Sequence, residues 1–312
     1  VQTLSSDPTT AASVGQFYFN STSNTFKYVQ PGGITAGTWA SGGALNVAKS
    51  SGGTAGTQTA GLYFGGSAPG GNTAQTEKYD GSSWTEVNDL NTARINLAGA
   101  GTQTSALAFG GGPPVKNETE KFDGTSWTEV NNLNTARQVL AGTGVSNNAA
   151  LAFGGEITAN SASAESFNGT SWTEIAALNS ARYAHGGAGT TTSALAFGGS
   201  NPTTAITESW NGSAWSEVAD LNTARYALAG FGSSNTSALA VGGFNPPFAN
   251  ETESWDGTSW TEIANLATAR QQLRGSGSTA AAFVAGGITP SKTTATEEWT
   301  VSSFTTKTFD TD

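Results

Sequence analysis

The charged residues that could do chemistry in this chain return at the same two positions along the sequence. A glutamate stands two residues before an aromatic residue, and this spacing puts both side chains on one face of a strand. A basic residue precedes each of six runs of small residues. The glutamates are Glu77, Glu120, Glu165, Glu208, Glu253 and Glu297, and the basic residues are Lys49, Arg94, Arg137, Arg182, Arg225 and Arg270.

The regular recurrence of these charges argues against a catalytic site, which needs a singular arrangement. We interpret them as structural, with a buried Arg–Glu pair or an arginine bound to backbone carbonyls in every repeat. A ring of arginines that binds a sugar or a carboxylate is the alternative. A second acidic series is expected to form a solvated strand edge, with calcium binding as its alternative. Its members are Glu86, Glu129, Glu174, Glu217 and Glu262.

Other signals of chemistry are weak. His185 is the single histidine, and we expect a structural role for it rather than that of a general base. Because the chain has no cysteine, disulfides and thiolate metal sites are excluded. Asp-Gly-Thr-Ser-Trp is reminiscent of the sialidase Asp-box, but it lacks the residue between Asp and Gly and is better explained as a turn. We therefore predict no catalytic residue, no metal and no cofactor.

A hexapeptide, Ala-Leu-Ala-Phe-Gly-Gly at 106–111, returns through the chain with little change. Its phenylalanine or the substitute recurs at steps of 45, 44, 44, 44 and 44 residues: Phe64, Phe109, Phe153, Phe197, Val241 and Ala285. A period of this length predicts units that bury their faces only by stacking on neighbours. We read each unit as four antiparallel strands, a to d, in which strand a begins at the basic residue and strand b ends at the Gly pair. Asp-Gly or Asn-Gly between c and d favours positive φ and predicts a tight turn.

Aromatic residues recur on strands c and d. Those of strand c are Tyr79, Phe122, Phe167, Trp210, Trp255 and Trp299, and those of strand d, five residues later, are Trp84, Trp127, Trp172, Trp215, Trp260 and Phe304. Burying each such ring contributes about 1.5–3 kcal/mol, so these rings are expected to hold the units together. Four strands per unit, with a Gly pair ending the second, favour a β-propeller blade.

The order of these features resembles the kelch repeat: an apolar strand, Gly-Gly, an aromatic residue and then Trp, with Arg before the small-residue strand. The resemblance covers about residues 42–309. It implies an all-β, kelch-type β-propeller with six complete four-stranded blades plus an N-terminal partial unit. Strand a has unusually small residues, and the last unit departs from the pattern at Ala285 and Phe304. A seventh blade that includes residues 15–41 is the alternative, and we favour six because no further strand a follows.

Composition and charge narrow the range of partners. The net charge is -10 without a basic cluster, which argues against nucleic-acid binding. No run of about 18 apolar residues is present, so we expect no membrane insertion. Methionine is absent even at position 1, and we expect Val1 to follow a removed signal or a larger assembly module. We divide the chain into an arm (1–14), a β-hairpin or partial blade that is a candidate anchor (15–41, with strands Gln16–Phe19 and Phe26–Val29), and the propeller (42–312).

The segments between strands b and c differ most from unit to unit, and repeat proteins often place such variation on a binding face. The alternative is that the sequences of these loops vary because nothing constrains them. Their prolines and aromatic residues would give stiff rims suited to carbohydrate or protein contact. The candidate ligand-binding residues are Pro113, Pro114, Lys116, Asn201, Phe244, Asn245, Phe248 and Lys292.

The low-charge, Thr/Ser/Asn/Gly-rich units and the Gly-Gln-Phe-Tyr-Phe-Asn-Ser-Thr-Ser-Asn-Thr-Phe-Lys-Tyr segment at 15–28 are similar to kelch-like virion and tail-fibre proteins of marine bacteriophages. This resemblance implies a non-enzymatic, extracellular structural or adhesive protein on the virion surface. Such a protein would contact host-surface glycan or protein and join other virion or surface-assembly proteins through its N-terminal segment. The sequence leaves homo-oligomerisation open. A secreted bacterial adhesin or scaffold and a carbohydrate-active enzyme are the alternatives.

Overall fold

The structure, a computed structural model, describes residues 2–6, 17–29, 37–200, 202–301 and 306–308. All regular elements in these ranges are β-strands, which confirms the predicted all-β class. No helix long and apolar enough to cross a membrane occurs among these residues. Contacts divide the chain into two compact units: Thr38–Trp299, and a smaller unit of Val1–Gly37 with Thr300–Asp312.

The larger unit contains six four-stranded sheets, numbered 1 to 6 in chain order, each with its strands in the order a-b-c-d. The a strands are Gly53–Thr57, Ala98–Thr102, Ala141–Ser146, Gly186–Gly189, Ala229–Ser234 and Arg274–Gly277. The b strands are Ala60–Phe64, Ser105–Phe109, Ala149–Phe153, Ala194–Phe197, Ser237–Phe244 and Ala281–Ala285.

The c strands of the same sheets are Thr76–Tyr79, Thr119–Phe122, Ala164–Phe167, Thr207–Trp210, Phe248–Trp255 and Thr296–Thr300. The d strands are Trp84–Val87, Trp127–Val130, Trp172–Ile175, Trp215–Val218 and Trp260–Ile263 for sheets 1 to 5, and Thr38–Ser41 for sheet 6. Two short hairpins lie in b–c segments, Ser67–Ala68 with Gly71–Asn72 and Ile288–Thr289 with Ser291–Lys292. The predicted a-b-c-d order is therefore confirmed in sheets 1 to 5.

The start of strand a differs from the prediction. The arginine was expected to open the strand, but Arg94 lies four residues before Ala98, where strand a of sheet 2 begins. The intervening residues are a bridge of Ile95 with Gly112 and a bend at Asn96, whose φ is 57°.

Sheet 6 obtains its outer strand from the other end of the chain. Thr38–Ser41 pairs with Thr296–Thr300, and the Trp39 ring packs on Trp299 with 5.4 Å between centroids. The expectation that Phe304 would supply this strand was wrong, because Trp39 fills the place; Phe304 itself lies outside the described residues. Residues 38–41, which the sequence analysis grouped with the N-terminal hairpin, thus belong to the sixth sheet.

The smaller unit has one four-stranded sheet, in the order Gln2–Leu4, Phe17–Asn20, Thr25–Val29 and Thr306–Thr308. Its two middle strands form the predicted hairpin, and the Asn20 carboxamide accepts hydrogen bonds from the turn amides of Thr22 and Ser23. Residues 7–16, which include most of the predicted arm, lie outside the described residues.

The turns predicted between strands c and d from Asp-Gly are four-residue loops. In sheet 2 strand c ends at Phe122, which pairs with Trp127 across the loop. Only Gly124 of this loop has positive φ, and Asp123 instead accepts hydrogen bonds from the amides of Thr125 and Ser126. These backbone hydrogen bonds lower the pKa of Asp123. The Asp side chain therefore stabilises the loop as an Asx turn.

Strand a consists of small residues because neighbouring sheets approach each other closely there. A Cβ placed on Gly142 of sheet 3 would lie 2.4 Å from Phe109 Cζ and 3.0 Å from the Ala98 side chain of sheet 2. The same contact recurs one sheet further, where a Cβ on Gly187 would meet Phe153 at 2.8 Å. Larger side chains at these positions would force the sheets apart.

The strand-d tryptophans join each sheet to the one before it. The ring of Trp127 in sheet 2 packs edge-on against Phe64 of sheet 1 with 4.8 Å between centroids, and its Nε1 donates to Thr76 Oγ1 of that sheet at 3.1 Å. The same donor–acceptor pair occurs at Trp39–Thr252, Trp84–Thr296, Trp172–Thr119 and Trp260–Thr207. The predicted contacts between units are thus formed by both ring packing and a hydrogen bond.

Trp215 is the exception, and it provides a test of this hydrogen bond. Its Nε1 is buried without a hydrogen-bond partner among the described residues. The corresponding position of the preceding strand c is Ala164, where the other sheets have threonine. We expect Ala164→Thr to supply the missing acceptor and to raise the free energy of unfolding by about 1 kcal/mol in urea denaturation.

The reverse change at an equivalent position is the control. Thr119→Ala removes the acceptor of Trp172 and is expected to lower the free energy of unfolding by about 1–3 kcal/mol. If Ala164→Thr has no effect or destabilises the protein, the indole hydrogen bond does not stabilise the contact between sheets.

Candidate functional site

Each of the six sheets contains one buried ion pair between the recurrent basic residue and the recurrent glutamate. The pairs with their N–O distances are Lys49–Glu77 at 2.6 Å, Arg94–Glu120 at 3.0 Å, Arg137–Glu165 at 2.8 Å, Arg225–Glu253 at 2.7 Å and Arg270–Glu297 at 2.9 Å, together with Arg182–Glu208. The basic side chains are 0–2% exposed, so no surface ring of cations exists among the described residues. The repeated charges neutralise one another.

The arginine of each pair also binds backbone carbonyls. Arg94 Nη1 donates to the Gly110 oxygen at 3.1 Å and to the Glu118 oxygen at 2.6 Å. Burial lowers the pKa of Arg94, and the carboxylate of Glu120 opposes this shift. The two structural interpretations of the sequence, an ion pair and a carbonyl clamp, therefore hold together at the same residue.

An asparagine completes the network, and sequence reasoning missed it. Glu165 uses its second oxygen to accept hydrogen bonds from the backbone and side-chain amides of Asn134, and Asn134 Nδ2 also donates to the Trp172 carbonyl at 3.1 Å. Equivalent bonds are made by Asn46, Asn91, Asn179 and Asn222. The signal was an asparagine three residues before five of the six basic residues, which is hard to notice in a chain rich in asparagine. In sheet 6 Ala267 takes this position, and only its backbone amide donates to Glu297.

A cycle of six backbone hydrogen bonds links one residue from each sheet. Each residue lies two positions before strand a, has φ of 53–58°, and donates its amide to the carbonyl of its counterpart in the adjacent sheet at 2.7–3.0 Å. The residues are Ser51, Asn96, Val139, Ala184, Ala227 and Gln272, and the cycle returns from Ser51 to Gln272. Left-handed φ is unfavourable for valine and alanine in particular, so the bonds in the cycle hold these residues in a strained conformation.

A cavity of about 430 Å³ is lined by this hydrogen-bonded cycle and by the six a strands. Its lining is mostly glycine, alanine and backbone, for the packing reason given above. The residues of the lining with ionisable nitrogen-containing side chains are His185 and Arg274.

His185 is buried at a position that leucine occupies in four of the other sheets. The corresponding residues are Leu97, Leu140, Leu228 and Leu273. Neither ring nitrogen of His185 has a hydrogen-bond partner of acceptable geometry among the described residues. Burial, with smaller contributions from the positive charges of Arg182 and Arg137, lowers the pKa of His185 to about 3. The imidazole is therefore neutral at pH 7 and has no acidic partner that would make it a general base.

The His185→Leu variant is expected to be more stable and less sensitive to acid. The folded-state pKa lies below the ordinary value of 6.5, so the unfolded chain binds the proton first and stability falls as pH decreases from 6.5 towards 3. Leucine removes this loss and also two unsatisfied polar atoms, and we expect a gain of about 1–3 kcal/mol at pH 7. Urea denaturation at pH 7 and pH 4.5 measures both effects.

Leu140→His is the matched control, because it puts imidazole into the equivalent place in sheet 3. It should destabilise the protein and make its stability more sensitive to acid. A His185→Leu variant with an unchanged pH profile would show that this histidine is hydrogen-bonded or protonated in the folded protein.

The candidate ligand-binding residues are scattered over the b–c segments. Pro113 and Pro114 are exposed, Lys116 pairs with Glu118 at 2.7 Å, and Asn201 lies outside the described residues. Lys292 of the sheet 6 segment donates to the Ala68 carbonyl of the sheet 1 segment at 2.9 Å, so its ammonium group is engaged within the protein. The structure does not join these residues into one site.

An aromatic cluster does form around the b–c segment of sheet 5. Strands b and c are longer in this sheet than in the others, so Phe244 and Phe248 pair across a hairpin that had been predicted to be a loop. Phe244 packs edge-on against both Phe248 and Tyr226, with 5.6 and 5.5 Å between centroids. The three rings are half-buried and Asn245, Pro246 and Pro247 at the tip are exposed.

The outer acidic residues lie on the exposed side of strand d. No group of three or more His, Asp or Glu side chains that could hold a metal ion occurs among the described residues. The strand-d glutamates, such as Glu129, are exposed, as a solvated edge would require.

The chain matches no model of a known protein family. Nor does any curated protein sequence match it.

Proposed function

We propose that the six sheets are the blades of a closed, kelch-type β-propeller. Three contacts between sheets 6 and 1 support closure: the Ser51 amide bonds to Gln272 at 3.0 Å, Thr54 Oγ1 bonds to Gly275 at 2.9 Å, and Trp84 bonds to Thr296. They are the same kinds of contact that join consecutive sheets. Six blades also agree with the six members of the hydrogen-bonded cycle.

We propose further that this propeller is a non-enzymatic adhesive module that contacts glycan or protein on a host cell. The observation that carries the proposal is the aromatic cluster of Tyr226, Phe244 and Phe248. It departs from the repeat, since other sheets lack the extended hairpin, and it displays rings at a surface where the repeated frame needs none. Half-buried aromatic rings offer apolar faces to partners such as sugar rings at a small entropic cost.

The geometry favours adhesion over catalysis because the charged residues serve the frame. In each sheet the basic residue and the glutamate form a buried ion pair, so they are not available to a substrate. The exposed Asn245 amide beside the cluster can exchange hydrogen bonds with hydroxyl or amide groups. The Pro246-Pro247 tip restricts the hairpin and so reduces the entropy lost on binding.

Display on a virion surface is the second part of this proposal. It is supported by the resemblance of the units and of residues 15–28 to kelch-like virion and tail-fibre proteins. We propose that the N-terminal segment joins the propeller to other virion or surface-assembly proteins.

Binding of the fluorescently labelled protein to intact bacterial cells tests the adhesive function, with and without removal of surface polysaccharide. We expect binding that is lost on removal. We also expect Phe248→Ala to weaken it by about tenfold.

Phe26→Ala is the matched control, since Phe26 is 51% exposed in the smaller unit and outside the cluster. Equal binding by Phe248→Ala and Phe26→Ala would overturn the assignment of the cluster. If the wild-type protein binds no cell, the adhesive function is wrong, and an assembly role for the N-terminal segment would replace it.

A further inference from the structure

One residue in the cavity lining breaks the six-fold pattern of charge. The first residue of strand a is Gly53, Ala98, Ala141, Gly186 and Ala229 in sheets 1 to 5, and Arg274 in sheet 6. Arg274 is the only residue with an ordinarily charged side chain, apart from the neutral His185, among the described residues that line the cavity.

Two neighbouring positions also depart from the repeat and make room for the Arg274 side chain. Gly52 stands where sheets 2, 3, 5 and 6 have leucine, and Tyr63 stands where sheets 2 to 5 have alanine. A Cβ on Gly52 would lie 2.5 Å from the Tyr63 ring, so the large tyrosine and the absent side chain belong together. Arg274 Nε donates to the Gly52 carbonyl at 2.7 Å. The arginine is therefore held in a place built from three coordinated departures from the repeat.

The guanidinium of Arg274 keeps donors free. Nε donates to the Gly52 carbonyl, and one N–H of Nη1 donates to the Leu273 carbonyl. Three of the five N–H groups of the guanidinium therefore remain available to a ligand. No Asp or Glu oxygen among the described residues lies within 4 Å of it, whereas the recurrent arginines all have a glutamate. Arg274 thus carries a positive charge that the described protein residues do not neutralise.

The surroundings do not compensate for this charge. Burial lowers the pKa of Arg274, and the one ionisable neighbour that opposes this shift is Tyr63. Burial also raises the pKa of Tyr63 to about 12, so its hydroxyl is uncharged at pH 7. Arg274 is only partly exposed, so its unpaired charge is incompletely solvated, and an anion in the cavity would stabilise it.

A second donor lies near the arginine. Ser51 Oγ donates to Gln272 Oε1 at 2.9 Å, which leaves the Gln272 side-chain nitrogen without a partner among the described residues. Gln272 belongs to the hydrogen-bonded cycle and lines the same cavity two residues before Arg274. The cavity therefore combines the cationic guanidinium of Arg274 with one neutral donor, the side-chain amide of Gln272.

We propose that this cavity is a binding site for a small monocarboxylate, with Arg274 as the residue that recognises the carboxylate. The single positive charge matches a monoanion, and the free N–H groups suit a planar carboxylate. The volume of about 430 Å³ accommodates a molecule up to the size of a sugar acid. This site is separate from the aromatic cluster, and its test does not depend on the adhesive function.

Ligand-observed NMR titration of the full chain at low salt tests the proposal with three probes: sodium D-glucuronate, sodium acetate and neutral D-glucose. We expect at least one carboxylate to bind and glucose to bind at least about tenfold more weakly, because a hydrogen bond to a charged group contributes that factor. Arg274→Ala should weaken carboxylate binding by about tenfold or more. Alanine is native at this position in sheets 2, 3 and 5, so we expect the variant to fold.

Lys121→Ala is the control, since it removes the same charge from strand c outside the cavity lining and should leave binding unchanged. Arg274→Lys keeps the charge but loses the planar fork, and should bind with intermediate affinity. The proposal is overturned if neither carboxylate binds the wild-type protein, if glucose binds as well as glucuronate, or if Arg274→Ala and Lys121→Ala bind equally.

Discussion

Glu165→Gln is expected to lower the free energy of unfolding by about 3–5 kcal/mol, because it leaves Arg137 as a buried charge without a partner. Arg137 is 0% exposed and lies 2.8 Å from the carboxylate. The change also weakens the acceptor of the Asn134 amides, and so it loosens the loop that precedes strand a. Urea denaturation followed by tryptophan fluorescence measures the effect.

The pair between Lys116 and Glu118 provides the control. Its side chains are 18% and 27% exposed, so Glu118→Gln should cost less than about 1 kcal/mol. A double replacement, Arg137→Met with Glu165→Leu, should cost less than the single change, since it removes both charges. Similar losses for Glu165→Gln and Glu118→Gln would contradict the role assigned to burial.

Trp127→Ala is expected to destabilise the protein by about 3–5 kcal/mol. The ring is 5% exposed and fills the space between sheets 1 and 2, where it contacts Phe64 and Phe122. Its removal leaves a cavity at the contact between sheets and an unpaired hydroxyl at Thr76. Calorimetric unfolding measures the loss.

Phe26→Ala is again a useful comparison, because a half-exposed ring should contribute much less. Trp127→Phe keeps most of the ring packing, so its loss of stability should be less than half of the loss in Trp127→Ala. If Trp127→Ala is as stable as the wild-type protein, the tryptophans do not hold the sheets together.

The repeat made most of the frame predictable. The 44-residue period and the positions of the Gly pair and the aromatic residues located strands b, c and d, and the pairing of Arg137 with Glu165 followed from their common recurrence. These features can be predicted from the sequence because the same packing and pairing requirements select the same residue type in every sheet. The strand at Thr38–Ser41 was missed since Phe304 also fits the aromatic position, and aromatic character does not reveal which candidate pairs.

Other structural features are hard to predict from residue types. The hydrogen-bonded cycle uses backbone groups, so its members range from Ser51 to Val139 and share no side-chain property. The Arg274 cavity had a readable signal, a charged residue where the period predicts glycine or alanine. Its importance could not be judged without knowing that Gly52 and Tyr63 lie beside it.

The strand that completes sheet 6 also determines when this protein can finish folding. Thr38–Ser41 leaves the ribosome long before Thr296–Thr300, and contacts at this junction, such as Ser51 with Gln272, span 221 residues of sequence. Sheets 1 to 5 can pair their strands as they are made, because their contacts are local. The sixth must wait for Thr296–Thr300 and close a long loop. Until Thr296–Thr300 has been made, Thr38–Ser41 stays open to wrong pairing, which makes this interval the vulnerable step for aggregation.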